Sequence, residues 1–162
     1  MTVTKEDLVF AAAHFITLPG HRCEALHGHN YRAGVVVEGG LEPEAWYVVD
    51  FLALKRLVKR LTEEWDHRVL LPTENPRLAV RHRGESVEVA FDGAARYVFP
   101  ERDCVLLPIP NTTVELLAEH LANRVVAELA REGAGGTRAL HAIEVEVEEN
   151  FGQSATYRAV LD

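Results

Sequence analysis

The chain has 162 residues, of which 48% are hydrophobic, and it carries a formal net charge of −8 at pH 7 with an isoelectric point near 5.5. This size and apolar content suit a single domain with its own core, so we expect one domain over residues 1–162. The negative charge and the lack of a basic run exclude a nucleic-acid-binding surface from the expected functions. No apolar stretch approaches the roughly 18 residues that span a bilayer, and the first residues lack a signal-peptide pattern. We therefore expect a cytoplasmic protein with no membrane contact.

The two cysteines, Cys23 and Cys104, are expected to be free thiols, because a protein of a reducing compartment keeps its cysteines unpaired. Cys104 is flanked by apolar residues and is predicted to be a buried, inert cysteine. Cys23 lies in a polar stretch next to Arg22, and a positive charge there would lower the thiol pKa and make thiolate available. Cys23 is therefore a candidate base, with the inert buried cysteine as its alternative.

The first part of the chain predicts two strands followed by a helix. Residues 8–16 form a short apolar segment and residues 27–38 run from polar into β-branched residues, as strands do. Pro19 and Gly20 lie between them and indicate a loop. Asp50 precedes apolar residues at helical spacing up to Trp65, so we predict a helix with Asp50 as its N-cap.

The second part predicts a hairpin, a helix and two strands. Residues 87–91 and 95–99 flank Asp92-Gly93, which suits a two-residue hairpin turn, and we interpret residues 72–110 as an inserted hairpin. Thr112 and Glu115 match a capping box at the start of a second helix. We expect that helix to be closed by the glycines Gly133, Gly135 and Gly136. Residues 141–149 and 155–161 then alternate as strands, which gives an α+β fold.

Three histidines form a candidate metal site. In an extended chain residues i and i+2 project from the same face, so His27 and His29 can direct two imidazoles to one point. His14 lies in the preceding strand and can add a third nitrogen if the two strands pair. Three neutral imidazoles with one open position suit a catalytic Zn²⁺. The alternative is a chance pair in a chain with eight histidines. Four further histidines have no comparable setting and are assigned to surface or core packing, namely His21, His82, His120 and His141.

Two further positions carry candidate polar groups. Asp66 directly precedes His67, and a carboxylate beside an imidazole can orient it for proton relay, although a histidine at a helix end also has a purely structural explanation. Glu149 shares the two-residue parity of the apolar positions in 143–147, so we predict that it faces inward. A carboxylate on the core side needs a partner, and the edge of an amidine-like ring in a ligand would supply one. The alternative is a strand that ends at Glu148.

Taken together, six segments resemble, in this order, the 6-pyruvoyltetrahydropterin synthase and 6-carboxytetrahydropterin synthase family. They span nearly the whole chain, and the Cys-x₃-His-Gly-His motif downstream of a lone strand histidine is specific. The segments are AAAHFI (11–16), HRCEALHGHNY (21–31), YVVDFLALK (47–55), WDHRVLLP (65–72), NTTVELLA (111–118) and EENFGQSATY (148–157).

This resemblance implies the tunnelling fold, an α+β fold with a four-stranded antiparallel sheet and two helices on one face. It also implies a homo-oligomer, in which three subunits form a barrel and two trimers usually form a hexamer. The active sites are then expected between subunits.

The resemblance implies roles for individual residues. The zinc ligands are expected to be His14, His27 and His29. The catalytic residues are expected to be Cys23 as proton acceptor, Asp66 and His67 as relay, and Glu149 as the anchor of the pterin. Further substrate-binding candidates are Thr112, Thr113 and Glu24.

The expected reaction is the zinc-dependent conversion of 7,8-dihydroneopterin triphosphate to 6-carboxy-5,6,7,8-tetrahydropterin, acetaldehyde and triphosphate, as in queuosine and deazapurine biosynthesis. The interval of three residues between Cys23 and His27 favours this branch. The pyruvoyl branch, which keeps the side chain, is one alternative. Glu24 favours another, the folate-pathway cleavage of dihydroneopterin to 6-hydroxymethyldihydropterin, unless it is a solvated loop charge.

Two other classes of function compete with a pterin lyase. A simple zinc hydrolase would need only the three histidines and an activated water, with Cys23 as a bystander. A non-catalytic pterin- or metal-binding oligomer would bind pterin through Glu149 without turnover.

Overall fold

The computed structural model describes residues 1–3, 8–132 and 140–161, and these ranges contain two α-helices, a short 3-10 helix (Glu101–Asp103) and twelve strands. The helices are α1 (Phe51–Glu63) and α2 (Val114–Glu132). The strands are β1 (Thr2–Val3), β2 (Val9–His14), β3 (Thr17–Leu18), β4 (Arg22–Cys23), β5 (His27–Gly39), β6 (Arg68–Pro72), β7 (Leu78–Arg83), β8 (Ser86–Phe91), β9 (Ala94–Pro100), β10 (Cys104–Leu107), β11 (Leu140–Glu149) and β12 (Ser154–Val160).

The main sheet contains the predicted antiparallel unit but is larger and mixed. Its strand order is β10-β6-β2-β5-β11-β12, with β1 also paired to β5, so it has seven strands rather than four. The pairs β2–β5, β5–β11 and β11–β12 are antiparallel, as predicted. The prediction of four strands is wrong because β6 and β10 add to the edge by parallel pairing and β1 pairs antiparallel with β5. Parallel strands need long connections, here residues 15–67 between β2 and β6 and residues 73–103 between β6 and β10, and they leave no hairpin signal in the sequence.

Helix α1 begins as predicted. The side chain of Asp50 accepts a hydrogen bond from the backbone N–H of Ala53 at 2.9 Å, and the helix runs to Glu63. The capping box predicted for α2 is wrong in its first residue. The Thr112 hydroxyl donates to the Phe15 carbonyl, and the first helical bond runs from Leu117 N–H to the Thr113 carbonyl, which makes Thr113 the N-cap. The three glycines 133, 135 and 136 lie outside the described residues.

Both helices pack on one face of the main sheet, as predicted. The inward residues of β5 at 31, 33, 35 and 37 and those of β11 at 143, 145 and 147 are fully buried against the apolar stripes of α1 and α2. Because side chains of one parity in a strand share one face, the helices cover that face alone. None of the described helices is long and apolar enough to cross a membrane.

Residues 78–100 form a separate antiparallel sheet, β7-β8-β9. The predicted hairpin is confirmed: β8 pairs with β9 around Asp92 and Gly93, both of which have positive φ. The strand β7 before it was not predicted. The sheet packs its buried residues Leu78, Val87 and Val89 against Phe15 and Leu71, and partly buried Cys23 and Leu26 join the same apolar cluster. The small sheet therefore lies against the loop between β2 and β5.

Candidate metal and substrate site

Strand pairing brings the three predicted histidines together. His14 of β2 lies directly opposite His27 of β5, and Ala12 lies opposite His29. The ring centroid of His14 is 4.7 Å from that of His27 and 5.3 Å from that of His29. Gly28 between the two β5 histidines lies close to β2, because a Cβ there would be 3.3 Å from the Ala12 carbonyl oxygen. The interpretation of the three histidines as one cluster is confirmed geometrically.

His14 is held in one tautomer at the base of the cluster. Its side chain is fully buried, and its Nδ1 lies 2.9 Å from the Thr112 carbonyl oxygen. Since a carbonyl can only accept, Nδ1 carries the proton and Nε2 of the neutral ring carries a lone pair. No described group gives that buried Nε2 a hydrogen bond, although it is 2.9 Å from Oε1 of Glu149. An imidazole lone pair facing a carboxylate requires a proton or a cation between them.

His27 and Glu149 complete the arrangement. Nδ1 of His27 lies 2.9 Å from the Ala25 carbonyl oxygen, so its Nε2 is free to act as a ligand by the same reasoning. Nε2 of His29 lies 2.9 Å from Oε1 of Glu149. The donor atoms of the three histidines and Glu149 all lie within 4.8 Å of one another. The predicted inward orientation of Glu149 is thus confirmed, and its carboxylate joins the histidines rather than standing apart from them.

The charges in this cluster influence one another. Burial lowers the pKa of His29 and the neighbouring His14 and His27 lower it further, while the carboxylates of Glu149 and Glu24 oppose them. Burial alone would raise the pKa of Glu149, but contacts with His14, His29 and Tyr31 bring it below its usual value. The Tyr31 hydroxyl donates to Oε1 of Glu149 at 3.3 Å, and burial raises the tyrosine pKa strongly. These shifts favour a neutral His29 imidazole and an ionised Glu149 carboxylate.

The donor set fits a bound metal ion. Neutral imidazoles are the nitrogen ligands that Zn²⁺ and other late first-row ions prefer, and each needs an unprotonated nitrogen directed at the ion. The buried Nε2 of His14, which lacks a hydrogen-bond donor among the described groups, is such a nitrogen. Hydrogen bonds at Nδ1 of His14 and His27 fix the rings in the way that outer-shell carbonyls fix metal-binding histidines.

Cys23 lies outside the histidine cluster. Its side chain is partly buried against the apolar cluster beneath the small sheet, and its Sγ is 3.7 Å from the Glu24 carbonyl oxygen. Burial raises the pKa of the thiol, so the expected lowering by Arg22 is wrong. Arg22 instead donates to the Pro19 carbonyl oxygen, and the positive charge that most offsets the burial of Cys23 belongs to Arg96. The two cysteines are free, as predicted.

Asp66 and His67 form the predicted pair. Nδ1 of His67 lies 2.9 Å from Oδ2 of Asp66, whose Oδ1 accepts from the Ala11 N–H at 2.8 Å. That backbone bond, with His67, lowers the pKa of Asp66. His67 lines a cavity of about 500 Å³ with residues such as Ala13 and Asn30. His29 of the cluster also lines this cavity, so His67 and the histidine cluster adjoin the same space.

The two threonines occupy different settings. Thr112 is fully buried. Its hydroxyl donates to the Phe15 carbonyl and its own carbonyl accepts from Nδ1 of His14, so Thr112 fixes the orientation of the His14 ring. Thr113 is the N-cap of α2. Their proposed contacts with substrate stay predictions.

Sequence reasoning missed several residues around the site. Tyr31 follows His29 by two positions and so shares its face, a signal that could have linked it to the cluster. Arg96 and Tyr97 contact the loop of Cys23 from a distant strand, which no local pattern could indicate. The remaining histidines behave as expected: His21 and His82 are exposed, and His120 stacks on Trp65 with centroids 6.0 Å apart.

The mixed sheet with both helices on one face is the tunnelling fold. The histidine–carboxylate cluster indicates that the protein is an enzyme. The family model "6-pyruvoyl tetrahydropterin synthase" matches residues 2–160. The chain therefore belongs to the 6-pyruvoyl tetrahydropterin synthase family, whose members are lyase-type enzymes acting on pterins.

Three relatives are informative. A Methanocaldococcus jannaschii protein, provisionally named a 6-carboxy-5,6,7,8-tetrahydropterin synthase, is 33% identical over 156 residues, which are 96% of this chain and 92% of that protein. A structure of Plasmodium vivax 6-pyruvoyltetrahydropterin synthase, in which a catalytic glutamate is replaced by alanine, has a TM-score of 0.90 at 29% identity and covers 99% of this chain and 97% of its own. The dihydroneopterin monophosphate aldolase of Pyrococcus furiosus is 46% identical over 61 residues, 38% of this chain and 50% of that protein.

Proposed function

We propose that this protein converts 7,8-dihydroneopterin triphosphate, with water, into 6-carboxy-5,6,7,8-tetrahydropterin, acetaldehyde and triphosphate, in the route to queuosine and related deazapurines. The observation that carries the proposal is the cluster of His14, His27, His29 and Glu149 in a chain of this family. The name of the archaeal relative and the three-residue interval between Cys23 and His27 favour this reaction over the pyruvoyl one.

The proposed metal is zinc, held by His14, His27 and His29. When bound, zinc supplies Lewis-acid polarisation to the side-chain oxygens of the substrate. The supporting observation is the tautomer of His14, whose Nδ1–H is engaged with Thr112 while its buried Nε2 is free for a ligand bond. Three imidazoles leave a coordination position for substrate, which is the arrangement of catalytic zinc sites.

Glu149 is proposed to anchor the pterin. An ionised carboxylate accepts hydrogen bonds from the N–H groups at the edge of the pterin ring, and charge-assisted bonds of this kind are strong. Its depressed pKa and the hydrogen bond from Tyr31 keep it ionised and oriented. Thr112, Thr113 and Glu24 remain proposed substrate-binding residues.

Cys23 is proposed to take a proton from the substrate side chain, with Asp66 and His67 relaying protons. His67 and His29 of the histidine cluster line the same cavity. We propose the family's trimer or hexamer for this chain, with the active sites between subunits. The proposal includes a single domain over residues 1–162 with 72–110 as an insertion, and a cytoplasmic location.

A second candidate function is cleavage of a dihydroneopterin side chain to 6-hydroxymethyldihydropterin with Glu24 as the base. The carboxylate of Glu24 raises the pKa of His29, and the largest charge effects on the pKa of the Cys23 thiol come from Arg96 and Glu24. The catalytic glutamate of the Plasmodium vivax enzyme and the aldolase name of the Pyrococcus furiosus relative favour this candidate. The two bases are adjacent in sequence and can be tested separately.

The test is to compare wild type, Cys23→Ala and Glu24→Gln on the triphosphate substrate and on dihydroneopterin, and to identify the products by mass. We expect Cys23→Ala to lose formation of 6-carboxytetrahydropterin, and Glu24→Gln to retain it. Full 6-carboxytetrahydropterin formation by Cys23→Ala would contradict the role of Cys23. Release of triphosphate alone, equal in wild type and Cys23→Ala, would favour the simple zinc hydrolase. Hydroxymethyldihydropterin that disappears only in Glu24→Gln would support the second function.

A further inference from the structure

The small sheet binds the backbone of the segment that carries Cys23 and Glu24. Nη2 of Arg96, on β9, donates to the carbonyl oxygens of Cys23 at 3.1 Å and of Glu24 at 2.6 Å. The next residue, Tyr97, accepts a hydrogen bond at its hydroxyl oxygen from the Leu26 N–H at 3.0 Å. Two neighbouring residues of one strand thus engage three backbone groups within four residues of the loop.

Apart from the packing of Cys23 and Leu26 in the apolar cluster, this segment has few backbone hydrogen bonds of its own. The strand β4 ends at Cys23 and β5 begins at His27, so the residues between them have no strand pairing. The Glu24 N–H donates to the Ile16 carbonyl oxygen at 2.9 Å. Backbone carbonyls that lack a ladder partner must be satisfied elsewhere, and the charged Arg96 side chain serves two of them at once. Arg96 therefore contributes to the position of both candidate bases, together with the apolar packing of Cys23 and the Glu24–Ile16 hydrogen bond.

A β-bulge explains how two consecutive side chains reach the same loop. On β8 and β9 the register passes from Val89 opposite Tyr97 to Ala90 opposite Ala95, so Arg96 is the extra residue. Successive side chains in a regular strand point to opposite faces, and a bulge re-aims one of them. The Arg96 guanidinium lies over the Tyr97 ring at 5.3 Å, and that ring packs 5.4 Å from Phe15. Tyr97 is thereby packed against the apolar cluster, and the exposed Arg96 lies against Tyr97.

We propose that Arg96 and Tyr97 are positioning residues that hold the Cys23–Glu24 segment in its working conformation, so that the three-stranded sheet is a functional part of the active site. The inference rests on the proposed function in one respect, that Cys23 or Glu24 acts on the substrate. It assigns a role to the small sheet through backbone contacts and predicts that the contribution of Arg96 differs from that of Tyr97.

The difference arises from charge. Burial raises the pKa of Cys23, and Arg96 is the strongest influence in the opposite direction. Loss of Arg96 therefore frees the loop and also removes a charge that favours thiolate. Loss of the Tyr97 hydroxyl frees only the Leu26 N–H and leaves the charge unchanged.

The experiment compares Arg96→Met and Tyr97→Phe with wild type in the full-length protein. Methionine keeps an unbranched apolar stem and phenylalanine keeps the packed ring, so both variants preserve the apolar cluster. Arg83→Ala is the matched control, because Arg83 is on β7 of the same sheet, has a side chain 74% exposed and pairs with Glu88. Three experiments are made on each variant. The first measures hydrogen exchange of residues 24–26, and the second measures the pH dependence of iodoacetamide alkylation at Cys23, with Cys104 as internal reference. The third measures kcat and KM.

We expect exchange at Leu26 to rise about 3- to 10-fold in Tyr97→Phe, the factor that a typical net hydrogen bond represents. Arg96→Met should accelerate exchange across the segment and move the alkylation profile of Cys23 to higher pH, while Tyr97→Phe leaves the profile in place. In both variants kcat should fall more than KM changes. Arg83→Ala should match wild type in every measurement.

Unchanged exchange in both variants would overturn the inference, and so would an Arg96→Met profile that coincides with wild type. Exchange and alkylation need no turnover, so they separate this inference from the proposed function. If the protein is inactive on the pterin but Arg96→Met still loosens the segment and shifts the alkylation profile, the reaction assignment fails and the positioning role stands.

Discussion

Oε1 of Glu149 lies 2.9 Å from Nε2 of His14, although Nδ1 of the same imidazole is already engaged with the Thr112 carbonyl. Both groups are acceptors when the ring is neutral, so the contact is favourable only with a proton or a metal ion between the two atoms. The relationship links the metal site and the proposed pterin anchor. It also yields a prediction that distinguishes the two roles of Glu149.

Glu149→Gln is expected to retain about one zinc per chain and to weaken pterin binding. The amide keeps the size of the side chain but removes the charge that would accept the N–H groups of the pterin. Metal content by mass spectrometry and pterin affinity by fluorescence titration measure the two effects. Zinc loss as complete as that of a histidine variant would instead make Glu149 a metal ligand.

His27→Ala is expected to lower zinc affinity by more than about 100-fold, beyond the 10- to 100-fold cost of losing an outer-shell partner. The residue supplies one of three proposed ligand nitrogens and lies on a partly exposed strand end, so its removal should not disturb the core. Competition with a chelator provides the measurement. His82→Ala is the control, since its side chain is 54% exposed and lies in the small sheet; equal affinities in the two variants would contradict the site.

Thr112→Val should destabilise the fold by about 1–3 kcal/mol, because it leaves the buried Phe15 carbonyl without its donor. Urea unfolding monitored by circular dichroism gives the free energy of unfolding. Thr156→Val, on the exposed side of β12, serves as control and should stay within about 0.5 kcal/mol of wild type. A cost no larger than that of the control would mean that the Thr112 hydroxyl adds nothing to the position of Phe15.

The turn of the small sheet makes a pH-dependent contact with the loop between β2 and β5, through Asp92 and His21. The Asp92 carboxylate accepts a hydrogen bond from Arg77 at 2.8 Å and lies 3.2 Å from Nδ1 of His21. The Arg77 hydrogen bond, and to a smaller extent that of His21, lowers the pKa of Asp92 from the ordinary 3.8 to about 2. A depressed pKa gives a contribution to stability that is full above the unfolded-state value and is lost as the pH falls through the folded-state value.

Asp92→Asn keeps a residue that tolerates the positive φ of this turn while removing the charge. We expect its melting temperature to lie below that of wild type by a constant amount above about pH 4, and the two to converge toward pH 2. Thermal unfolding across this range is the measurement. Parallel curves down to pH 2 would mean that Asp92 does not contribute through its ionisation.

Local patterns were sufficient for the antiparallel part of the sheet, the helix starting at Asp50 and the histidine cluster. The reason is that His14, His27, His29 and Glu149 lie on long strands whose two-residue period fixes their faces. Parallel pairing of β6 and β10 joins segments separated by more than 30 residues and has no local signal.

The environment of Cys23 could not be predicted for a similar reason. Sequence proximity to Arg22 indicated a lowered thiol pKa, but Arg22 donates to Pro19 and the influential guanidinium belongs to Arg96. That contact depends on a bulge in β9, which tertiary packing and not alternation determines. Burial, the largest influence on the thiol, is likewise a property of the folded chain.

The most direct test of the central claim is the release of acetaldehyde from 7,8-dihydroneopterin triphosphate by zinc-loaded and metal-free protein. The account predicts one acetaldehyde for each 6-carboxytetrahydropterin formed by the zinc-loaded protein, and none after removal of the metal. A zinc-loaded protein that binds the pterin but yields no product, or a pterin product that retains its side chain, would contradict it.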